Sequence, residues 1–249
     1  MQFSDFITEQ KNTHMTHIED KVLYGGVKGT RDAILALRSL RDMLGGEHEG
    51  KVSVKWDGAP AIFCGTDPRD GEFFVAKKGI FAKSPKVYKS NADIDADTSG
   101  DLNTKLKLAL KHLPELGIKG IIQGDFLYSK SDVKTQKIKG KNYVTFHPNT
   151  IVYAVPKESD ASDAIMKSKI GIVWHTTYTG RSFETLKASY GVDVSRFNSS
   201  RNVWSQDATL RDLTNLTMSR KDTDEVTSYL STAGQIFNQI SGTTLRTLE

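Results

Sequence analysis

Lys55, Asp57 and Gly58 lie within the segment Val52-Ser53-Val54-Lys55-Trp56-Asp57-Gly58-Ala59-Pro60-Ala61-Ile62-Phe63, at the end of an apolar-alternating stretch. An ε-amine that has lost its proton can attack a nucleotide α-phosphate, and burial, a neighbouring positive charge or a bound metal promotes that loss. A carboxylate two residues further on points to the same side of an extended chain, which sets Asp57 beside Lys55. Glycine at 58 lets the backbone pass close to a ligand. The plain alternative is a solvated lysine before a turn.

Later segments extend the pattern. A second strand, Glu72-Phe73-Phe74-Val75-Ala76, runs into Lys77-Lys78-Gly79, and a third, Gly120-Ile121-Ile122-Gln123-Gly124-Asp125-Phe126-Leu127-Tyr128, carries one acid at its centre. A fourth apolar stretch contains Tyr143 and Phe146. The spacing Lys55-x-Asp57-Gly58, with these strands in this order, resembles the covalent nucleotidyltransferases: ATP-dependent DNA ligases, RNA ligases and mRNA capping enzymes. The resemblance spans roughly residues 50–178. It implies that Lys55 is the nucleophile and that ATP and Mg2+ are used. On the same resemblance, Asp57 and Gly58 are expected to lie against the nucleotide, Lys77 and Gly79 to hold ribose or phosphate, Asp125 to contact the sugar or metal, and Phe146, or secondarily Tyr143, to stack on the base.

The pattern departs from that superfamily at its metal-binding Glu-Gly strand, where this chain reads Ile170-Gly171-Ile172-Val173-Trp174-His175, leaving His175 and Asp125 as candidate ligands. The Lys-x-Lys element has a look-alike, Lys167-Ser168-Lys169, on the wrong side of that strand, and Ser53 stands where DNA ligases often carry an acid. The KWDGAPA segment also resembles uncharacterised proteins of large tailed phages, including cyanophages, implying a host-cytoplasmic setting. The implied activity is that of an ATP-dependent, ligase-like nucleotidyltransferase, acting on RNA in preference to DNA. Alternatives are a non-catalytic nucleotide- or nucleic-acid-binding phage protein, or an assembly protein.

Composition accommodates such an enzyme. With 249 residues, 37% of them hydrophobic, the chain can bury a substantial core. The net charge of +4 is mild, but the lysines cluster. Lys77, Lys78, Lys83, Lys86 and Lys89 interleave with Phe81 and Tyr88, and Lys130, Lys134, Lys137, Lys139 and Lys141 follow the third strand. Such runs can track a phosphate backbone, so single-stranded or nicked nucleic acid is an expected partner. The alternative is two solvated loops. Cys64 is the only cysteine, which excludes an intramolecular disulfide and fits a reducing cytoplasm. No apolar run approaches the roughly 20 residues of a bilayer span, so no membrane role is expected.

The elements that must position these residues read as an α+β fold of mainly antiparallel sheets with flanking helices, a nucleotidyltransferase or ATP-grasp-like core. A first helix starts at Thr30, shows Ile34, Leu37, Leu40 and Leu44 on one face and stops at Gly45-Gly46. Strands cover about 51–77 and 119–178, separated by a helix near 102–113. The spacing of Val226, Tyr229, Leu230, Ala233, Phe237 and Ile240 after Thr223 predicts a terminal helix. The expected division is a nucleotidyltransferase-like domain over 1–180 and a helical extension over 181–249. Three further groupings read as non-sites: Gly25–Thr30 lacks the Gly-Lys-Thr order of a phosphate loop, Asp93, Asp95 and Asp97 read as a solvated acidic loop, and His14, His17, Glu19 and Asp20 read as surface.

Overall fold

All nine positions of the strand β4 (Ile121–Ser129) are buried, the mark of a strand covered on both faces. The structure, a computed structural model, describes residues 17–47, 53–212 and 217–247. β4 pairs antiparallel with β2 (Ala61–Thr66) and β8 (Ile170–Thr179). Beyond β2 lies β3 (Phe73–Ala76). Beyond β8 lies β10 (Val203–Asp207), parallel to it, while β9 (Lys187–Tyr190) pairs with the other end of β8. These six strands form one mixed sheet. A separate antiparallel sheet comprises β5 (Lys134–Ile138), β6 (Lys141–Phe146) and β7 (Tyr153–Pro156), and β1 (Ser53–Lys55) pairs with β11 (Thr209–Asp212). Seven helices are described: α1 (Ile18–Tyr24), α2 (Gly26–Leu44), α3 (Asn91–Asp97), α4 (Gly100–His112), α5 (Asp160–Lys167), α6 (Arg220–Gln239) and α7 (Gly242–Arg246). The class is α+β.

Strand alternation sorts the core. Ile122 and Phe126 of β4 join Ile62, Cys64, Val75, Ile172 and Trp174 under Leu106 and Ala109 of α4. On the opposite face Ile121 joins Phe63, Phe74 and Tyr178, whereas Leu127 joins Val144, Phe146 and Val173. Each such fully buried side chain contributes about 1.5–3 kcal/mol. Gln123 and Asp125, both buried, lie between the two apolar clusters of that face. The result is a polar seam in the middle of the sheet.

The chain divides into Met1–Val54 with Arg211–Glu249, and Lys55–Leu210. The expected boundary at 180/181 is therefore corrected: β9 and β10 continue the central sheet past it. Their sequences, Lys187-Ala-Ser-Tyr190 and Val203-Trp-Ser-Gln-Asp207, are too short and polar to show an alternation. In the first unit α2 packs against α1, α6 and α7. It begins at Gly26, four residues before Thr30, whose hydroxyl donates back to the Gly26 carbonyl instead of capping. A Cβ on Gly29 would lie 2.0 Å from the Lys21 carbonyl oxygen, so this glycine serves close approach of α1 and α2. Ser219 caps α6, and Thr223 lies inside it. In the second unit the acidic Asp93–Asp97 stretch is helical, capped by Ser90. His17 lies 3.5 Å from Glu19, both exposed, and its backbone N–H donates to Asp20 at the start of α1, while His14 lies outside the described residues.

Candidate active site

Lys55 is the last residue of β1, and its Nζ lies 3.3 Å from Oδ2 of Asp125 on β4 and 3.7 Å from Oδ1 of Asp57. The lysine side chain is 46% exposed, so the ion pairs themselves add at most about 1 kcal/mol of stability. Their effect is to aim the amine. Asp125 points there because odd-numbered β4 residues face the seam, where it is 6% exposed and its strand neighbour across β2 is Ala61, too small to cover it.

Asp57 is fixed from the second sheet. Asn149 Nδ2 donates to its Oδ2 at 2.6 Å. The Tyr153 hydroxyl of β7 accepts from the Asp57 backbone N–H at 2.7 Å and donates to the Asp57 carbonyl at 3.0 Å. Burial holds the Tyr153 phenol above its usual range, so it remains a donor at neutral pH. The turn that follows is pressed onto β4: a Cβ at Gly58 would lie 2.6 Å from the Phe126 carbonyl oxygen and 3.1 Å from the Asp125 Cβ. Ala59 N–H donates to that same carbonyl, and Phe126 N–H to the Pro60 carbonyl, across a cis Ala59–Pro60 bond. Lys105 of α4 reaches the Ala59 carbonyl at 3.4 Å, its ammonium 5.6 Å from the Phe126 ring centre.

The fourth member is His175. In the β4–β8 ladder Gln123 pairs with Thr176 and Gly124 with Trp174, which leaves His175 as an extra residue in a β-bulge. Bulges re-aim a side chain, and here Nε2 comes within 3.5 Å of Asp125 Oδ1 while Nδ1 lies 2.8 Å from the Thr176 hydroxyl. The cluster is thus an exposed amine, two carboxylates and an imidazole. It can hold a cationic or nucleophilic amine and receive its proton.

Lys55, Asp57, Gly58, Asp125 and His175 are brought together. Lys77 and Gly79 are not part of this contact group. Lys77 Nζ lies 2.9 Å from Asp97, an interaction that raises its pKa, and Gly79 lies in the 3-10 turn Lys78–Phe81, where a Cβ would meet only Lys86 at ordinary contact distance. Phe146 corrects the stacking expectation. It is 1% exposed, with ring centres of Tyr128, Tyr153 and Trp56 at 4.8, 5.4 and 6.5 Å, so it has no open face for a base. Tyr143 is partly exposed on the outer side of its sheet. A cleft of about 730 Å³, lined by Lys167, Ser168, Arg201 and Trp204 among others, shares no residue with the Lys55 cluster.

Sequence reasoning missed Asn149, Tyr153 and Lys105, which reach the Lys55–Ala59 segment from far along the chain and carry no local pattern. Among the described residues, no group of three or more His, Cys, Asp or Glu side chains is placed to hold a metal ion. Asp57 and Asp125 are the hard oxygen donors nearest the amine.

Residues 12–248 match the model of a family of unknown function, DUF6267, and the chain belongs to that family. No curated protein and no solved structure matches the chain. Among the described residues, no helix is long and apolar enough to cross a membrane.

Proposed function

We propose that the protein is an ATP-dependent nucleotidyltransferase in which Lys55 carries the nucleotide. The observation that supports this reading is the convergence on one amine of Asp57 and of Asp125, 70 residues away. The Lys55 nitrogen forms a bond to the α-phosphorus of ATP, the bond from that phosphorus to the bridging oxygen breaks, pyrophosphate leaves, and the amine proton passes to Asp125 or Asp57. Mg2+ is usually bound through one or two carboxylates together with substrate phosphates and water, and Asp57 and Asp125 offer that donor set. Stabilising charge on the triphosphate is the chemistry the metal supplies. The nucleotide then passes to a 5′-phosphorylated nucleic-acid end, RNA in preference to DNA, as the resemblance implies.

A second reading is nucleotide binding without transfer by a phage-encoded protein of the host cytoplasm. It is favoured by β8, which offers His175 in place of a carboxylate, Ile170, Ile172 and Val173 being fully buried. Mass spectrometry after incubation with ATP and Mg2+ separates the two. Transfer adds one AMP to Lys55, and both Lys55→Ala and Lys55→Arg remain unmodified, since arginine keeps the charge but does not deprotonate. No adduct, with ATP still raising the thermal midpoint, selects the binding reading; neither effect leaves an assembly role.

A further inference from the structure

From Val133 to Lys157 the chain contains Lys134, Lys137, Lys139, Lys141 and Lys157 and no Asp or Glu. This stretch is the β5–β6–β7 sheet with its connections. Lys134, Lys137, Lys139 and Lys141 are all exposed, and among the described residues none of them makes an ion pair. The register sorts the two faces. Val144 and Phe146 of β6, with Tyr153 and Val155 of β7, turn inward onto the core. Lys134, Gln136, Ile138, Lys141 and Tyr143 share the outward face, where Gln136 pairs with Tyr143 and Ile138 with Lys141. Lys137 projects from the other side of the edge strand, beyond the core, and Lys139 occupies the hairpin turn.

We infer that the outward face of this sheet, with its hairpin, is a binding surface for single-stranded nucleic acid. Unpaired lysines attract a phosphate backbone, Tyr143 offers a ring for stacking, and Gln136 beside it offers an amide to a base edge. A lipid surface fits less well, because Ile138 is the only large, well-exposed apolar side chain on that face. An acidic peptide would use the lysines but not the Tyr143–Gln136 pair. The same sheet carries Tyr153, whose hydroxyl fixes the Asp57 backbone, so it links the surface to the Lys55 cluster. The surface rests on the nucleotidyltransferase reading for the role of its ligand as acceptor, but not for binding itself.

The test is fluorescence anisotropy of a labelled, 5′-phosphorylated single-stranded oligonucleotide with the full chain across a salt series. The triple variant Lys134→Gln/Lys139→Gln/Lys141→Gln flattens the log–log slope by about 2, at about 0.7 per contact. A control of equal charge, Lys28→Gln/Lys86→Gln/Lys107→Gln, removes lysines already paired with Asp32, Asp97 and Asp95 and leaves the slope unchanged. Tyr143→Leu weakens binding roughly tenfold with no change of slope. Equal slopes for both triple variants, no binding at low salt, or equally tight binding to phosphatidylserine vesicles or polyglutamate overturns the inference. AMP transfer to Lys55 is measured on the same proteins: an adduct with equal slopes removes this surface alone, and a hairpin-dependent slope without an adduct removes only the transfer.

Discussion

Residues 77–89 and 130–141 each hold five lysines, yet the two segments carry different charge into solution. In the first, Lys77 and Lys86 both reach Asp97 at 2.9 and 2.8 Å, the Tyr88 hydroxyl donates to the same carboxylate at 2.7 Å, and Lys89 is held by Asp67 and Asp70. In the second, Lys130 donates to the Met166 carbonyl and the other four make no ion pair among the described residues. The carboxylates serving the first segment flank it, in the β2–β3 turn and at the end of α3. Lysine density therefore does not report the field a segment presents; the acids that fold back onto it do.

Removing the counter-charge at its most buried point has the largest effect. Asp67 is fully buried and accepts from Arg69 through two guanidinium nitrogens, from the Arg69 backbone and from Lys89. Asp67→Ala lowers stability by about 2–4 kcal/mol in urea unfolding. A loss below about 0.5 kcal/mol would mean the first segment is not held by its acids at all.

Acid titration sharpens the contrast at intermediate size. The Arg69 hydrogen bond holds Asp67, and the Lys86, Tyr88 and Lys77 contacts hold Asp97, well below the usual carboxylate range. Lowered folded-state pKa values mean that the stabilisation is present above the unfolded value of about 3.9 and fades as pH falls below it. The thermal midpoint should drop between about pH 4 and pH 2.5, and less steeply in Asp97→Asn. At neutral pH the same variant frees Lys77 and Lys86. It should steepen the salt dependence of oligonucleotide binding by up to about 1.4, making the first segment resemble the second.

The smallest effect lies in the hairpin. Lys139 has φ +47°, a left-handed conformation that asparagine tolerates better than lysine. Lys139→Asn should raise the midpoint by about 1–3 °C while lowering the binding slope by up to about 0.7. A fall in the midpoint would show that Lys139 is held there by something other than turn geometry.

Much of the central sheet was legible because its strands alternate or run continuously apolar, and the helix expected at 102–113 lies at Gly100–His112. Lys55 and Asp125 were legible because each sits at a strand position whose side is fixed by counting, and Asp57 because it follows Lys55 by two residues. Phe146 was misassigned because an aromatic on a strand has the same signature whether it meets a ligand or the core. Only the inward register of β6 decides, and that depends on which sheet covers it. Asn149 and Tyr153 left no trace, since their partner Asp57 is 92 and 96 residues away. The acidic run at 93–97 reads as a loop in the sequence because its alternating carboxylates mask the Ser90 cap and the single inward residue Ile94.

The bulge at His175 marks a residue that β8 can gain or lose without changing the pairs on either side of it. Exchanging the imidazole for another polar group would leave the backbone ladder intact. Deleting His175 would let Trp174 and Thr176 pair with the successive residues Gly124 and Gln123, so that the bulge disappears while Thr176, Thr177 and Tyr178 keep their partners and faces. Tyr178 would keep its 2.7 Å bond to Gln123 and Thr176–Thr179 their pairing with β9, and the loss would be confined to the imidazole beside Asp125. Relatives that have lost the imidazole should accordingly tolerate a one-residue gap at this position of β8, and those that keep the cluster should show none.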